Sequence, residues 1–520
     1  MAAHDGSSAN ISSGRIGLHV KNALLMLASV AASLLVAEAI VRYVDGYDML
    51  SMPLSFSEPM GVANVKQERL DGVPRAPGVE RDWFFAEPAP LPNRRPVPEA
   101  WEHLFRFVET HPVGGLEFLP SDAFKVWNTV FAGDPCQNKR LRFAPGQLFL
   151  YDPPDRQATP PYRFPPDATL PSKLTTNQIG WRGAPIEDPR GEKTIRIVFV
   201  GSSTVVESHH FPFSWPEFIG NWLNVWAKSK GLAIRFEVLN AGRESIVSTD
   251  IAAIVRTEVL PLRPDLVVYH EGGNQFRLAS IVEKVPPGPA VRPAGYQAAN
   301  SVSWLGEVAR YSALMGRVQA ALSVAGSGVD GREWPKPDYR VVWPAGLDEA
   351  DPDLAYPNLP VSLNVIQRDL DQIRTDLATV GGQLAVSSFV WMVKDGLVVD
   401  PLRHKYILEQ LNAGNWPFRY RDFERLAVFQ NRLLAKYASV HKLAFVDIAG
   451  NMPLDPDLFT DAVHTNYVGT RLRAWAAFNQ LLPAIEKNLA AGAWPRAWPS
   501  GASTALPTFT PRQTKVDCKA

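Results

Sequence analysis

The sequence predicts an α/β fold: a parallel sheet with helices on both faces. Three observations lead there. From residue 194 onward, short runs of β-branched and aromatic residues alternate with longer stretches of helical periodicity. The strand candidates IRIVFV (195–200), DLVVYH (265–270) and LAVSSFV (384–390) are apolar at successive positions, as strands buried on both faces are. Each consecutive pair is separated by enough chain for a helical crossover, which parallel pairing requires and a hairpin does not.

The elements follow in order. Residues 1–18 are polar, rich in Ser and Gly, and read as a cytoplasmic tail. Residues 19–43 read as a transmembrane anchor, because the apolar run 23–41 is interrupted only by Glu38 and, with its neighbours, spans a hydrocarbon core of roughly 30 Å. Arg15 and Lys21 precede the run and Arg42 alone follows closely. That bias places the N-terminus in the cytoplasm and everything after Tyr43 on the periplasmic or extracellular side. The rival reading is a signal peptide cleaved after Ala37-Glu38-Ala39, a small-x-small pattern that exports the same residues. Residues 44–190 are Pro-rich, with stretches such as AEPAPLPNRRPVPEAW, and form an accessory region. An α/β domain over 191–493 carries five strand candidates, the remaining two being IRFEVLN (234–240) and LAFVDI (443–448). Its rhythm is broken over 276–360 by an insertion rich in Pro, Trp and Gly, which is expected to shape a binding cleft. Residues 494–520 show little periodicity and are expected to be irregular.

Lys+Arg and Asp+Glu both number 53, so no basic excess exists to hold a nucleic acid. Only Cys136 and Cys518 are present; an exported chain permits them to pair, and two unpaired thiols are the alternative. His209-His210 has no Cys or carboxylate at metal-site spacing, so no metal is expected. Trp304, Trp334 and Trp343 in the insertion are candidates for packing or for stacking on sugar faces.

Four stretches carry the chemistry. FVGSST ends the first strand; NAGRES follows the second; EGGNQF follows the third; DAVH lies on a loop after the fifth. In parallel sheets ligands bind beyond the carboxyl ends of the strands, which is where these residues gather. The set resembles the four sequence blocks of the SGNH (GDSL-type) hydrolase superfamily over roughly residues 190–490. It is also similar to a bacterial membrane-anchored branch, through TNQIGWRG before the nucleophile strand and the Glu-x-x-x-Arg (Glu38, Arg42) that closes the apolar segment.

The resemblance implies a three-layer α/β/α domain with a flavodoxin-like sheet, needing no metal or organic cofactor. It implies Ser203 as nucleophile, His464 as its base and Asp461 as the carboxylate that orients the imidazole. Oxyanion donors are then the Asn274 carboxamide and the backbone N–H groups of Ser203 and Ser245. Gly242, Gly273 and His270 are candidate substrate-binding positions. Two departures stand out. The Asp that precedes the nucleophile in the family is Ser202, a competing hydroxyl, and the glycine of the second block falls on Ser245, where freedom at positive φ is lost. The implied activity is hydrolysis of carboxylic esters, including O-acetyl esters, through an acyl-enzyme. Transfer of the acyl group to an envelope or extracellular polysaccharide, and a noncatalytic cell-surface binding protein that keeps the fold, are the alternatives.

Overall fold

Thr194–Gly201 form β1, and all of its residues are buried, as the unbroken apolar run requires. A computed structural model places it at the centre of a five-stranded sheet. The structure describes residues 10–45, 47, 49–52, 67–91, 95–96, 130–131, 136, 147–152, 159–169, 174–207, 213–293, 308, 311–327, 331–401, 404–497, 506–508 and 510–515. β2 (Arg235–Asn240), β3 (Leu266–His270), β4 (Gln383–Ser387) and β5 (Ala444–Val446) complete the sheet. All pairings are parallel, in the order β2-β1-β3-β4-β5, which is flavodoxin-like. The order reverses direction beside β1, so the chains leaving β1 and β3 diverge to opposite faces and open a crevice between those two strands.

β4 and β5 are shorter than their sequence runs because side chains take over the pairing. The Phe389 N–H goes to Asn431, and Asp447 turns to cap the short helix Ile448–Asn451.

Beside shorter turns of helix, the helices that pack the fold and open its turns are α1 (Asn10–Asp45), α2 (Ser203–Val206), α3 (Trp215–Ser229), α4 (Ser248–Ile254), α5 (Ala313–Ser327), α6 (Leu363–Thr379), α7 (Tyr420–Val440) and α8 (Tyr467–Ala490). α3 and α8 cover one face of the sheet; α4, α6 and α7 cover the other. α3 starts on a capping box in which Ser214 and Glu217 satisfy each other's backbone, with Pro216 in the first turn. Between α3 and α8 the rings of Trp222 and Trp475 meet edge-on at 5.1 Å, and Phe84 from the accessory region packs against both. Such aromatic pairs add roughly 0.5–1.5 kcal/mol each beyond the area they bury.

The described residues fall into two compact units, Met1–Asn64 with Arg292–Asp330, and Val65–Val291 with Gly331–Ala520. The insertion expected over 276–360 is therefore not one body: its middle belongs with α1. α1 begins at Asn10, so part of the expected polar tail is helical, and an 18-residue stretch within its segment Val20–Asp45 has a mean hydropathy of 2.3. It is long and apolar enough to cross a membrane. The tail expected to be irregular contains a strand, Thr510–Lys515, paired antiparallel with Gln147–Asp152. Its alternation of polar residues gave no apolar signal to read. Cys136 is disulfide-bonded; Cys518 lies outside the described residues, as do Trp304 and His209-His210. Trp334 is buried, and Trp343 packs edge-on against Phe429 at 4.9 Å under the Arg425 guanidinium, so both serve packing and neither presents a free sugar platform.

Candidate active site

Gly201 ends β1 where a side chain has no room: a Cβ there would lie 2.2 Å from the His270 carbonyl oxygen. Two residues later Ser203 opens α2, a helix of one turn that stops at Glu207, whose φ is +46°. Arg182, from the TNQIGWRG segment, holds that stop by donating to the carbonyls of Val206 (2.8 Å) and Glu207 (2.5 Å). Gly242 is buried for a similar reason, since a Cβ would press within 2.6 Å of the Val206 nitrogen. At Gly273 a Cβ would lie 2.9 Å from the Phe389 ring. Both glycines thus meet packing demands around the turn.

Ser203, His464 and Asp461 come together. The Ser203 hydroxyl lies 2.8 Å from His464 Nε2, and His464 Nδ1 lies 2.6 Å from Asp461 Oδ2. With Nδ1–H donating to the carboxylate, Nε2 is left to accept from the serine. The other Asp461 oxygen accepts the backbone N–H groups of Val463 (2.8 Å) and His464 (2.7 Å), which folds the loop back on itself. Burial pushes the Asp461 carboxyl up, but the charge and hydrogen bond of His464 and the two N–H groups outweigh it and bring it down to about 2.

That shift has a sign. A carboxyl depressed from 3.8 to about 2 contributes stability that is complete above its unfolded pKa and fades as pH falls through about 2. Asp461→Asn is expected to be less stable than the parent at neutral pH by about 2 kcal/mol. The difference should close as both are titrated toward the acid limit, as measured by urea unfolding across pH.

Behind the three residues stands a buried pair that the sequence did not bring forward. Arg473 of α8 donates to the Thr204 carbonyl on α2 (3.1 Å), to the Val463 carbonyl on the His464 loop (3.2 Å) and to Glu207 (3.3 Å). Glu207 also accepts from Thr470 (3.0 Å) and Thr465 (3.5 Å). Burial pushes the Glu207 carboxyl up and the Arg473 guanidinium down, and each charge opposes the other's displacement. One guanidinium thereby ties the serine turn to the histidine loop. The available signal was a charged residue on the apolar face of RLRAWAAFNQLL, a helix otherwise built for burial.

Ser202 is not poised to react. It is buried, and its hydroxyl donates to the Glu271 carboxylate. Glu271, also buried, accepts the Asn274 backbone N–H at 2.7 Å, and burial raises its carboxyl despite these donors. The carboxylate absent at position 202 is supplied from the EGGN turn, a substitution visible only once the two strand ends lie side by side.

The Asn274 carboxamide donates one hydrogen to the Ile246 carbonyl at 2.8 Å, and its second N–H remains for another acceptor. Among the described residues, the backbone N–H groups of Ser203 and Ser245 donate to no protein acceptor. Ser245 has a φ of +60° and is exposed, the left-handed conformation that a glycine at this position would adopt freely. Ser245→Gly is expected to raise stability by up to about 1 kcal/mol, the relieved strain less the added freedom of the unfolded chain. A shift of the urea midpoint at constant slope would register it.

His270 does not line the site. It is buried between the Trp215 and Phe389 rings, with Nδ1 at 2.8 Å from the Ser387 hydroxyl, and burial lowers its pKa well below the usual value. Its position at the end of β3 puts the backbone at the crevice and the side chain in the core. Gln275 likewise turns inward and accepts the Ser248 N–H at 2.7 Å, holding the start of α4.

No protein-family model matches the chain, and no curated protein does. Solved structures are similar to it. One is a GDSL-like lipase from Bacteroides thetaiotaomicron, 14% identical, with 57% of this chain and 89% of that one covered and a TM-score of 0.27. Another is a lipase/acylhydrolase from Enterococcus faecalis, 12% identical, with 56% and 96% covered and a TM-score of 0.30. A third is an acetyl xylan esterase from Geobacillus stearothermophilus, 12% identical, with 55% and 92% covered and a TM-score of 0.29.

Proposed function

We propose that this chain is a membrane-anchored, exported serine esterase of the SGNH type that hydrolyses carboxylic esters through an acyl-enzyme. The observation that supports it is the unbroken relay of Ser203 Oγ, His464 Nε2, His464 Nδ1 and Asp461 Oδ2, with steps of 2.8 and 2.6 Å. In the first step Ser203 Oγ bonds to the ester carbonyl carbon as its proton passes to His464 Nε2, and the carbonyl oxygen becomes an oxyanion. The Asn274 carboxamide and the N–H groups of Ser203 and Ser245 are the donors proposed to receive it. Collapse breaks the bond to the leaving alkoxide, which takes the proton from His464. In the second step His464 removes a proton from water, whose oxygen attacks the acyl carbon; collapse breaks the bond to Ser203 Oγ, which takes that proton back from His464 as the acid leaves. Asp461 remains ionised throughout and holds the imidazole tautomer. A catalytic unit fixed to a bilayer and exported meets esters on large, stationary polymers, so O-acyl groups of envelope or extracellular polysaccharide are the proposed substrate class.

The test is labelling of the full-length protein, in detergent, with a fluorophosphonate, followed by peptide mass spectrometry. Label is expected at Ser203 and is expected to vanish in His464→Ala. A folded protein that takes no label would sink the esterase reading, and label at Ser202 would overturn the residue assignment.

A further inference from the structure

Within the unit formed by Met1–Asn64 and Arg292–Asp330, the last turns of α1 do more than end a helix. Glu38 interrupts the apolar stretch one turn before its end, where an unpaired carboxylate in hydrocarbon is costly. It is fully engaged. It accepts from Arg42 Nε (2.7 Å), the Ser312 hydroxyl (2.7 Å) and the backbone N–H groups of Ala313 (2.8 Å) and Leu314 (2.9 Å). The carboxylate of α1 thus takes the first two N–H groups of α5, whose start lies far away in sequence, while the Ser312 hydroxyl takes the third, from Met315, at 3.1 Å.

Arg42 spends its remaining donors on backbone carbonyls: Ser51 (2.7 Å), Met52 (3.4 Å) and, 269 positions away, Tyr311 (2.7 Å). Asp45 pairs with Arg317 of α5. These contacts fix residues 49–52 and 311–314 at the level of the last two turns of α1. The side chains there point outward and are apolar or amphipathic: Leu50 is 96% exposed, Met52 77%, Tyr43 57% and Tyr311 53%. They continue the exposed apolar surface of α1 through Ile40 and Val44.

We propose that these residues form a collar seated in the headgroup boundary of the bilayer that α1 crosses. The proposal rests on the anchor reading and adds that a segment from the insertion returns to the lipid. Three features favour lipid as the occupant over another protein. The collar is continuous with the lipid-facing surface of α1 at the same level. Three of its carbonyls, those of Ser51, Met52 and Tyr311, are satisfied internally by one arginine, as water-poor surroundings require. Its charges cancel in two pairs, Glu38 with Arg42 and Asp45 with Arg317, and Tyr43 and Tyr311 are the amphipathic type found at membrane interfaces. Cleavage after Ala39 would part Glu38 from Arg42 and remove the acceptor of the Ala313 and Leu314 N–H groups, so the collar requires the uncleaved chain.

The experiment uses the full chain in vesicles of phosphatidylcholine and phosphatidylglycerol. Single cysteines at Leu50, Tyr311, Leu27 in the span and Val440 on α7 carry an environment-sensitive fluorophore, attached without reductant. Leu50 and Tyr311 probes are expected to be quenched by lipids brominated near the headgroup, and several-fold less by aqueous iodide than the Val440 probe. If Leu27 is quenched by brominated lipid while Leu50 and Tyr311 behave like Val440, the collar is wrong and the anchor stands. If Leu27 also behaves like Val440, both fail. Arg42→Gln is expected to move the Tyr311 probe toward iodide while leaving Leu27 in lipid; an unmoved Tyr311 probe would overturn the role given to Arg42.

Discussion

Ser203→Ala is expected to lower kcat toward a carboxylic ester by a factor on the order of 10⁴–10⁶, with little change in KM. The argument is chemical before it is structural. A serine hydroxyl is a weak nucleophile until its proton has somewhere to go, and His464 Nε2 at 2.8 Å is that place. His464→Ala should fall by a comparable factor, and Ser203→Ala/His464→Ala together by hardly more than either alone, since the residues act as a unit. Ser202→Ala is the informative control. Its hydroxyl is buried and committed to Glu271, whereas His464 Nε2 is paired with Ser203, so the variant should retain most of its turnover. The loss should appear in stability instead, about 1–3 kcal/mol for a buried carboxylate deprived of a donor. If Ser202→Ala abolished turnover while Ser203→Ala did not, the site would be misassigned by one residue.

Glu258→Gln is expected to cost about 3–5 kcal/mol of folding stability, the range for breaking a buried ion pair by removing one partner. Glu258 is buried together with Arg163 and Arg243, which bind the same carboxylate oxygen, and Trp181 donates to that oxygen at 2.8 Å. The variant keeps the volume and leaves two guanidinium groups facing a neutral amide. Burial pushes the Glu258 carboxyl up, but the two arginines pull harder and hold it below its usual value of 4.5. A depressed carboxyl contributes stability above its unfolded pKa and loses it as pH falls, so the gap between parent and variant should narrow in acid. Urea unfolding of both proteins at neutral and acidic pH measures this. A gap that is small at neutral pH, or constant with pH, would refute the account. Arg243 belongs to the NAGRES turn and Arg163 and Trp181 to the accessory region, so the loss should also loosen the hold of residues 162–182 on the sheet.

The sheet was legible because burial on both faces leaves a plain mark: Ile195, Ile197, Val198 and Phe199 follow one another without a polar residue on either side of the pleat beyond Arg196. Arg196 itself can be buried because Glu237 on the neighbouring strand and the carbonyls of Leu262 and Glu187 meet it, partners that pattern reading along one strand does not reveal. At the site, Ser203, Asp461 and His464 could be named because their residue types are tied to one chemistry. His270 could not be placed, since a strand end fixes where the backbone goes and not which way a ring turns. Glu271 and Arg473 were passed over for a different reason. Their partners, Ser202 and the carbonyls of Thr204 and Val463, are brought near only by the parallel order of strands and by α8 folding back over the sheet. The division of the insertion between two units was equally hidden, because the residue that claims its middle part, Glu38, lies more than 250 positions upstream, as the 274 positions to Ser312 show.

Thr510–Lys515 lie against Gln147–Asp152, with Lys515 opposite Gln147 and Thr510 opposite Asp152. The intervening chain contains every strand of the central sheet. During synthesis, residues 147–152 therefore emerge long before their antiparallel neighbour exists, and that edge cannot pair until the last strand has been made. The small sheet is thus a closure between two distant stretches of the chain, available only once Thr510–Lys515 have been made.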